Sequence, residues 1–219
     1  MVDIGAPPAA PARFITLEGG EGAGKSTQAR LLADALAARG LAVLLTREPG
    51  GTPGAEAIRR LLLDPPGEGW LPPAEALLFA AARADHVARA IRPALTQGRW
   101  VVCDRFLDSS RAYQGGGGAM ADEALLALHR IGSGGLLPDL TVLVEVAPAV
   151  ATARLAERDG GASDAIAARD AGYHGAVAAA FARLAAAEPA RFVTIAGDGS
   201  AEAVHRRIMA AVAARLGLP

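Results

Sequence analysis

The chain carries 21 arginines and one lysine, so the single position where lysine stands is the first place to look for chemistry. That residue, Lys25, belongs to Gly19-Gly20-Glu21-Gly22-Ala23-Gly24-Lys25-Ser26-Thr27, a complete GxxxxGK[ST] pattern. Glycines let the backbone curl until several N–H groups point into one concavity, and a following helix adds the positive end of its dipole. The expected product is a phosphate cradle spanning Gly19 to Thr27. Lys25 would act there as a mobile point charge at the β- and γ-phosphates, and the Ser26 hydroxyl would face Mg2+. The wide planar fork of arginine would not fit the same space.

A second candidate is Thr46-Arg47-Glu48-Pro49-Gly50-Gly51-Thr52, which follows a strand-length apolar run. Arg47 there either clamps an anionic group or belongs to a Pro-Gly turn with a surface Arg–Glu pair. Phe79 stands one helical turn before Arg83, so one helix face offers an aromatic platform and a cation to the same molecule. Plain core packing explains Phe79 equally well.

The third cluster, Arg99-Trp100-Val101-Val102-Cys103-Asp104-Arg105-Phe106, ends a buried run on a carboxylate. Such a group is costly unless paired or near a metal, so Asp104 is expected to serve Mg2+ or to orient Arg105. Arg105 sits where charge growing on a transferring phosphoryl group needs spreading; the plainer alternative is a structural Asp–Arg ion pair. Ser110, Tyr113 and Gln114 place hydroxyl and amide groups at near-helical spacing, suited to the edge of a base or sugar. Arg111 with the run Gly115 to Gly118 reads as a phosphate contact or as a flexible turn. His86, His129, His174 and His205 show no pairing that resembles a metal site and are expected to be exposed or to cap helices.

These residues need a scaffold. Apolar runs of strand length recur at Phe14 to Leu17, Leu41 to Leu45, Trp100 to Cys103, Leu140 to Val146 and Phe192 to Ile195. They lack polar alternation, as strands buried on both faces do. Segments rich in Ala, Leu and Arg fill the gaps and predict helices at about 25–39, 54–63, 74–97, 121–131, 148–158, 166–187 and 200–216,. Arg169, Asp170 and Arg183 are expected on a solvated helix face. The alternation implies right-handed crossovers and a doubly wound α/β domain with ligand sites at the carboxyl ends of its strands.

The composition bounds the partners. With 219 residues, 52% hydrophobic and 21% charged, and a net charge of −1, the chain fits one globular domain over 13–219 rather than a disordered or collagen-like one. Near-neutral charge argues against binding to nucleic acid or an anionic membrane surface, and no apolar run reaches the roughly 18 residues of a membrane span. Cys103 is the only cysteine, which excludes an internal disulfide and fits a cytoplasmic location. Residues 1–12 read as a flexible leader, with Asp3 and prolines where a targeting segment would be charged and then apolar. Residues 159–166, with Gly160-Gly161, read as a short mobile lid.

Taken together, the phosphate loop with Glu21 inside it, the Arg47-to-Thr52 segment, Phe79 with Arg83, Asp104-Arg105-Phe106 and Tyr113-Gln114-Gly115 resemble bacterial thymidylate kinase over residues 13 to 216. The resemblance implies a P-loop kinase with a five-stranded parallel sheet and helices on both faces, a homodimer, and Mg2+-dependent transfer of the ATP γ-phosphate to dTMP. It further implies Lys25, Arg105 and Asp104 as catalytic residues, with Ser26 and Asp104 toward the metal. Phe79 would stack on thymine, Pro49 would lie near its methyl group, Arg83 and Ser110 would meet its polar edge, and Gln114 would be a further substrate-binding residue. Arg47 and Arg105 would hold the dTMP phosphate, Glu21 would lie near the sugar 3′-hydroxyl, and Tyr113 would collide with a ribose 2′-hydroxyl.

One departure stands against this pattern. Family members with a small residue at the position of Gly22 usually carry an arginine in an Asp-Arg-hydrophobic-Glu lid motif, and the matching stretch here is Asp164-Ala165-Ile166-Ala167. Arg154, Arg158 and Arg169 are the candidates to replace it. The alternatives to a dTMP kinase are a kinase of another nucleoside monophosphate and a catalytically weak nucleotide-binding protein.

Overall fold

A computed structural model of the protein describes residues 11–159 and 165–218, with the backbone alone for 157–159. Strands β1 (Phe14–Glu18), β2 (Val43–Arg47), β3 (Trp100–Asp104), β4 (Leu140–Glu145) and β5 (Phe192–Ala196) form one parallel sheet in the order β2-β3-β1-β4-β5. Each apolar run is a strand. The second starts at Val43 and not at Leu41, because the Leu41 N–H still donates to the Leu36 carbonyl at 3.3 Å in the turn that closes the preceding helix. The leader at 1–12 and the lid at 159–166 fall largely outside the described residues.

The helices are α1 (Lys25–Ala37), α2 (Pro53–Leu63), α3 (Pro72–His86), α4 (Arg92–Thr96), α5 (Leu107–Ser110), α6 (Asp122–Ser133), α7 (Pro148–Asp159), α8 (Ala171–Ala187) and α9 (Ala201–Leu216). On one face of the sheet Ile15, Leu17, Val102 and Val142 pack against Leu32 and Leu36 of α1 and Ile208 and Val212 of α9. On the other, Phe14, Val101 and Cys103 meet Val87, Ile91 and Leu107, while Leu143 and Phe192 meet Tyr113, Val177 and Phe181. Both faces are therefore covered, which explains why the strands read as unbroken apolar runs. The strand after β1 in the chain lies at one edge and β4 lies on the opposite side of β1, so the order reverses beside β1 and a crevice opens at the carboxyl ends of β1 and β3.

Several sequence expectations are corrected. The helix expected at 74–97 is α3 joined to α4 through a π-helical turn at Val87–Ile91. The helix expected from 166 begins at Ala171, because the Asp170 carboxylate accepts the Tyr173 N–H at 2.8 Å as an N-cap,. Asp170 is exposed, as expected, and caps the helix as well. The glycine run is no flexible turn: Arg111–Gly117 continues α5 as a π-helical segment, and a Cβ on Gly116 would lie 2.4 Å from the Ala180 Cβ. Arg111 is tied to Asp108, Asp122 and Glu188. His86 and His129 are buried, against expectation. His86 bridges the Thr46 hydroxyl at 2.7 Å and Glu48 Oε1 at 3.0 Å, and His129 Nε2 meets the Leu136 carbonyl at 2.7 Å; both satisfy polar groups inside helix-to-loop joints.

Candidate active site

The turn from β1 into α1 takes its shape from its glycines. Gly24 stands at φ +89° just before α1, and Gly22, at φ +70°, has no room for a side chain because a Cβ would lie 2.5 Å from the Ala151 carbonyl,. The Lys25 ammonium is folded back under this loop and donates to the Gly20 carbonyl at 2.6 Å. Only 6% of Lys25 is exposed. Burial, helped by the Arg105 guanidinium, lowers its pKa to about 8 against the opposing pull of Glu21, Asp104 and Glu18,.

Asp104 ends β3 beside this loop and accepts the Ser26 hydroxyl at 2.5 Å. Among the described residues no group of three or more His, Cys, Asp or Glu side chains is arranged to hold a metal. Two adjacent oxygen groups beside a phosphate cradle nevertheless fit Mg2+, which takes few protein ligands and completes its shell with water and substrate phosphates.

Arg105 adopts φ +68°, a left-handed conformation that a residue with a side chain enters at a cost,. Glu18, at the end of β1, holds this turn. Its Oε1 accepts the Phe106 N–H at 2.7 Å and its Oε2 the Ser109 hydroxyl at 2.6 Å. Burial and the Asp108 carboxylate push Glu18 up to about 8, opposed by those hydrogen bonds and by Arg105. The Arg105 guanidinium donates to Glu21 Oε1 at 2.5 Å, the Tyr113 hydroxyl at 3.1 Å, Ser109 Oγ at 3.2 Å and the Gly19 carbonyl at 3.3 Å. Burial disfavours its charge, yet Glu21, Tyr113, Asp104 and Glu18 together hold its pKa above the ordinary arginine value. Tyr113 in turn donates to Glu21 at 2.9 Å, and burial raises its phenol pKa.

Glu21, Lys25, Ser26, Asp104, Arg105, Ser109 and Tyr113 line a cleft of about 830 Å3 that also takes in Arg47, Pro49, Phe79, Ser110 and Gln114. Sequence residues spread from 21 to 154 thus share one cavity, of the size that small-molecule sites occupy. Arg83 lies behind the wall. Its Nε donates to Glu48 Oε2 at 2.7 Å, and its Nη2 donates to Ser110 Oγ at 2.9 Å and the Phe106 carbonyl at 3.1 Å. Arg47, on the rim, pairs with Glu56 at 3.0 Å. Pro49 follows a cis peptide bond.

The three arginines considered for the lid separate. Arg154 lines the cleft, 3.8 Å from where a Cβ on Gly24 would lie, while its Nη2 donates to the Gly197 carbonyl at 3.0 Å. Arg169 instead pairs with Glu75, stacks 4.6 Å from the Tyr173 ring centroid and lines a separate cavity of about 340 Å3. The Arg158 side chain lies outside the described residues.

Two site residues escaped the sequence reading. Arg59 lines the cleft and donates to the Pro49 carbonyl at 2.8 Å; its spacing from Glu56 and Leu63 puts the three on one face of α2, a signal the arginine-rich background hides. Glu18 ends a buried strand just as Asp104 does, so the rule applied to Asp104 would have found it.

Comparison with known proteins gives a consistent result. A family model described as thymidylate kinase matches residues 17–208. A thymidylate kinase of Rhizorhabdus wittichii is 66% identical over 154 residues, covering 70% of this chain and 74% of the relative. One from a Bradyrhizobium species is 51% identical over 205 residues, covering 93% and 91%. The crystal structure of thymidylate kinase from Ehrlichia chaffeensis superposes with a TM-score of 0.76 at 30% identity, over 92% of this chain and 98% of that one.

Proposed function

The chain belongs to the thymidylate kinase family, and we propose that residues 13–219 work as one unit that moves the ATP γ-phosphoryl group to dTMP, giving ADP and dTDP, in a single cleft. The observation that carries this division of labour is that Lys25 and its phosphate loop, Arg105 and Phe79 line one and the same cavity. The acceptor is a phosphate oxygen that is already anionic, so the reaction needs positioning and charge neutralisation more than a strong base.

Loop N–H groups over Gly19 to Thr27 and the Lys25 ammonium hold the triphosphate. Ser26 and Asp104 would hold Mg2+, which would supply positive charge to neutralise the triphosphate. Arg105 and Arg47 hold the dTMP phosphate, exchanging Glu21 and Glu56 for it. Phe79 stacks on thymine, Pro49 meets its methyl group, and Ser110 and Gln114 meet its polar edge, with Arg83 fixing Ser110 from behind. Glu21 meets the 3′-hydroxyl, and Tyr113 fills the space a ribose 2′-hydroxyl would need. Arg154 takes the place of the missing lid arginine, supported by its position over Gly24. A coupled assay with dTMP and Mg-ATP tests the reading against dUMP, dCMP and dGMP. Rapid dTDP formation with dTMP preferred is expected; binding of both nucleotides without turnover would overturn it.

The protein is proposed to be a cytoplasmic homodimer. The lone thiol at Cys103 and the use of ATP support the location. Leu77 on α3 and Ile131 on α6 are 56% and 84% exposed, on helices that pack together through Gly132 and Ala84, which supports a covered apolar face. Leu77→Glu is expected to convert a dimeric sedimentation profile into a monomeric one.

A further inference from the structure

Gln114 is 2% exposed and lines the cleft, and its Oε1 is a buried acceptor that meets no donor among the described residues. Leaving such an atom unpaired costs free energy unless a ligand completes it. Its Nε2 donates to Glu75 Oε1 at 2.8 Å. Glu75 is itself buried on α3, and its other oxygen accepts from Arg169 Nη2. Arg169 also donates to the Tyr173 hydroxyl at 2.6 Å, and that hydroxyl donates to the Tyr113 carbonyl at 3.0 Å.

An amide's two ends are set apart by their partners. With an arginine on one oxygen, the Glu75 carboxylate is acceptor-only, so the end of Gln114 facing it must be the NH2. The carbonyl must then face away from Glu75. We infer that Glu75 is a positioning residue for nucleobase choice: it locks the Gln114 amide so that an acceptor and not a donor is presented to the base. This rests on the dTMP reading above. Thymine carries a donor at N3 and cytosine an acceptor there, so a locked carbonyl suits the first and repels the second. Arg169, on the segment where the lid motif departs from the family pattern, is on this account a clamp on Glu75.

Glu75→Gln tests the inference, because a glutamine at 75 both donates and accepts and so lets Gln114 turn over. The expected result is a loss of about tenfold or more in kcat/KM for dTMP, carried by KM, with kcat within about threefold of the parent. The preference for dTMP over dCMP should narrow by at least the same factor. The exchange E75Q/Q114E keeps one carboxylate and one amide across the gap and again turns an acceptor to the base, so it should recover the preference. A folded Glu75→Gln enzyme with unchanged preference would overturn the inference, as would an exchanged pair that fails to recover it. If Glu75→Gln alone does not fold, the exchanged pair decides. A parent chain that does not turn over dTMP at all would remove the reading beneath the inference and the inference with it.

Discussion

Arg105 Nη2 lies 2.5 Å from Glu21 Oε1, joining the residue after β3 to the middle of the phosphate loop. In the free protein the carboxylate occupies the guanidinium that the proposed reaction needs for phosphate. The pair is partly exposed, at 18% and 20% of the two side chains, so an entering phosphate can displace one oxygen without dismantling the turn that Glu18 holds. Arg105→Lys should therefore leave nucleotide binding close to the parent and lower kcat by about a hundredfold or more, since a point charge cannot bridge two groups as a fork does. Steady-state kinetics beside calorimetric titration of ATP separate the two effects.

The depressed Lys25 pKa gives ATP binding a pH dependence. A triphosphate stabilises the ammonium, so the bound protein has the higher pKa and takes up a proton above about pH 8,. Affinity for a non-hydrolysable ATP analogue should hold below that pH and then weaken by up to about tenfold per unit as pH rises. Lys25→Met should bind weakly and without that slope. In the free protein the sign reverses. The folded pKa lies below the ordinary 10.5, the unfolded chain binds more protons between the two values, and the penalty for burying Lys25 fades as pH climbs through that window.

Arg154 and Arg169 make opposite predictions because they face different cavities. Arg154→Ala should lower kcat by about a hundredfold, the scale for losing one charge-stabilising donor at a reacting group. Arg169→Ala should leave kcat at saturating substrate within about threefold of the parent, its partner Glu75 being removed from the phosphates,. Single-turnover rates with both substrates saturating check the pair. A large loss in Arg169→Ala with none in Arg154→Ala would reverse the assignment.

The strands and the phosphate loop were legible because their signals are local: unbroken apolar runs, and a glycine pattern whose chemistry is fixed by spacing. The need of Asp104 for a partner was legible for the same reason, a costly carboxylate at a strand end, and the Ser26 hydroxyl meets it. What stayed hidden depends on partners distant in the chain. Arg169 looked like surface charge because Glu75, 94 residues away, gives no local sign of meeting it. His86 looked unremarkable because the groups that satisfy it, Thr46 and Glu48, lie at the exit of β2, distant in the chain. The glycines of 115–118 resist a local reading for a related reason: glycine signals both turning and close approach, and only the packing of α8 decides between them.

That packing carries the last prediction. A methyl group on Gly116 would lie 2.4 Å from the Ala180 Cβ and 3.1 Å from the Ala176 carbonyl, atoms of a rigid helix that cannot swing aside. Gly116→Ala should therefore destabilise the fold by about 1–2 kcal/mol, overpacking outweighing the gain in helix propensity. For a chain of this size that is a fall in Tm of roughly 2–8 °C. Gly175, inside α8, has nothing among the described residues within 4 Å of the same added carbon, so Gly175→Ala should gain up to about 1 kcal/mol from propensity alone. Thermal melts of the two variants side by side should move in opposite directions. A Gly116→Ala protein as stable as Gly175→Ala would mean that α8 does not press against the segment bearing Tyr113 and Gln114 as closely as described.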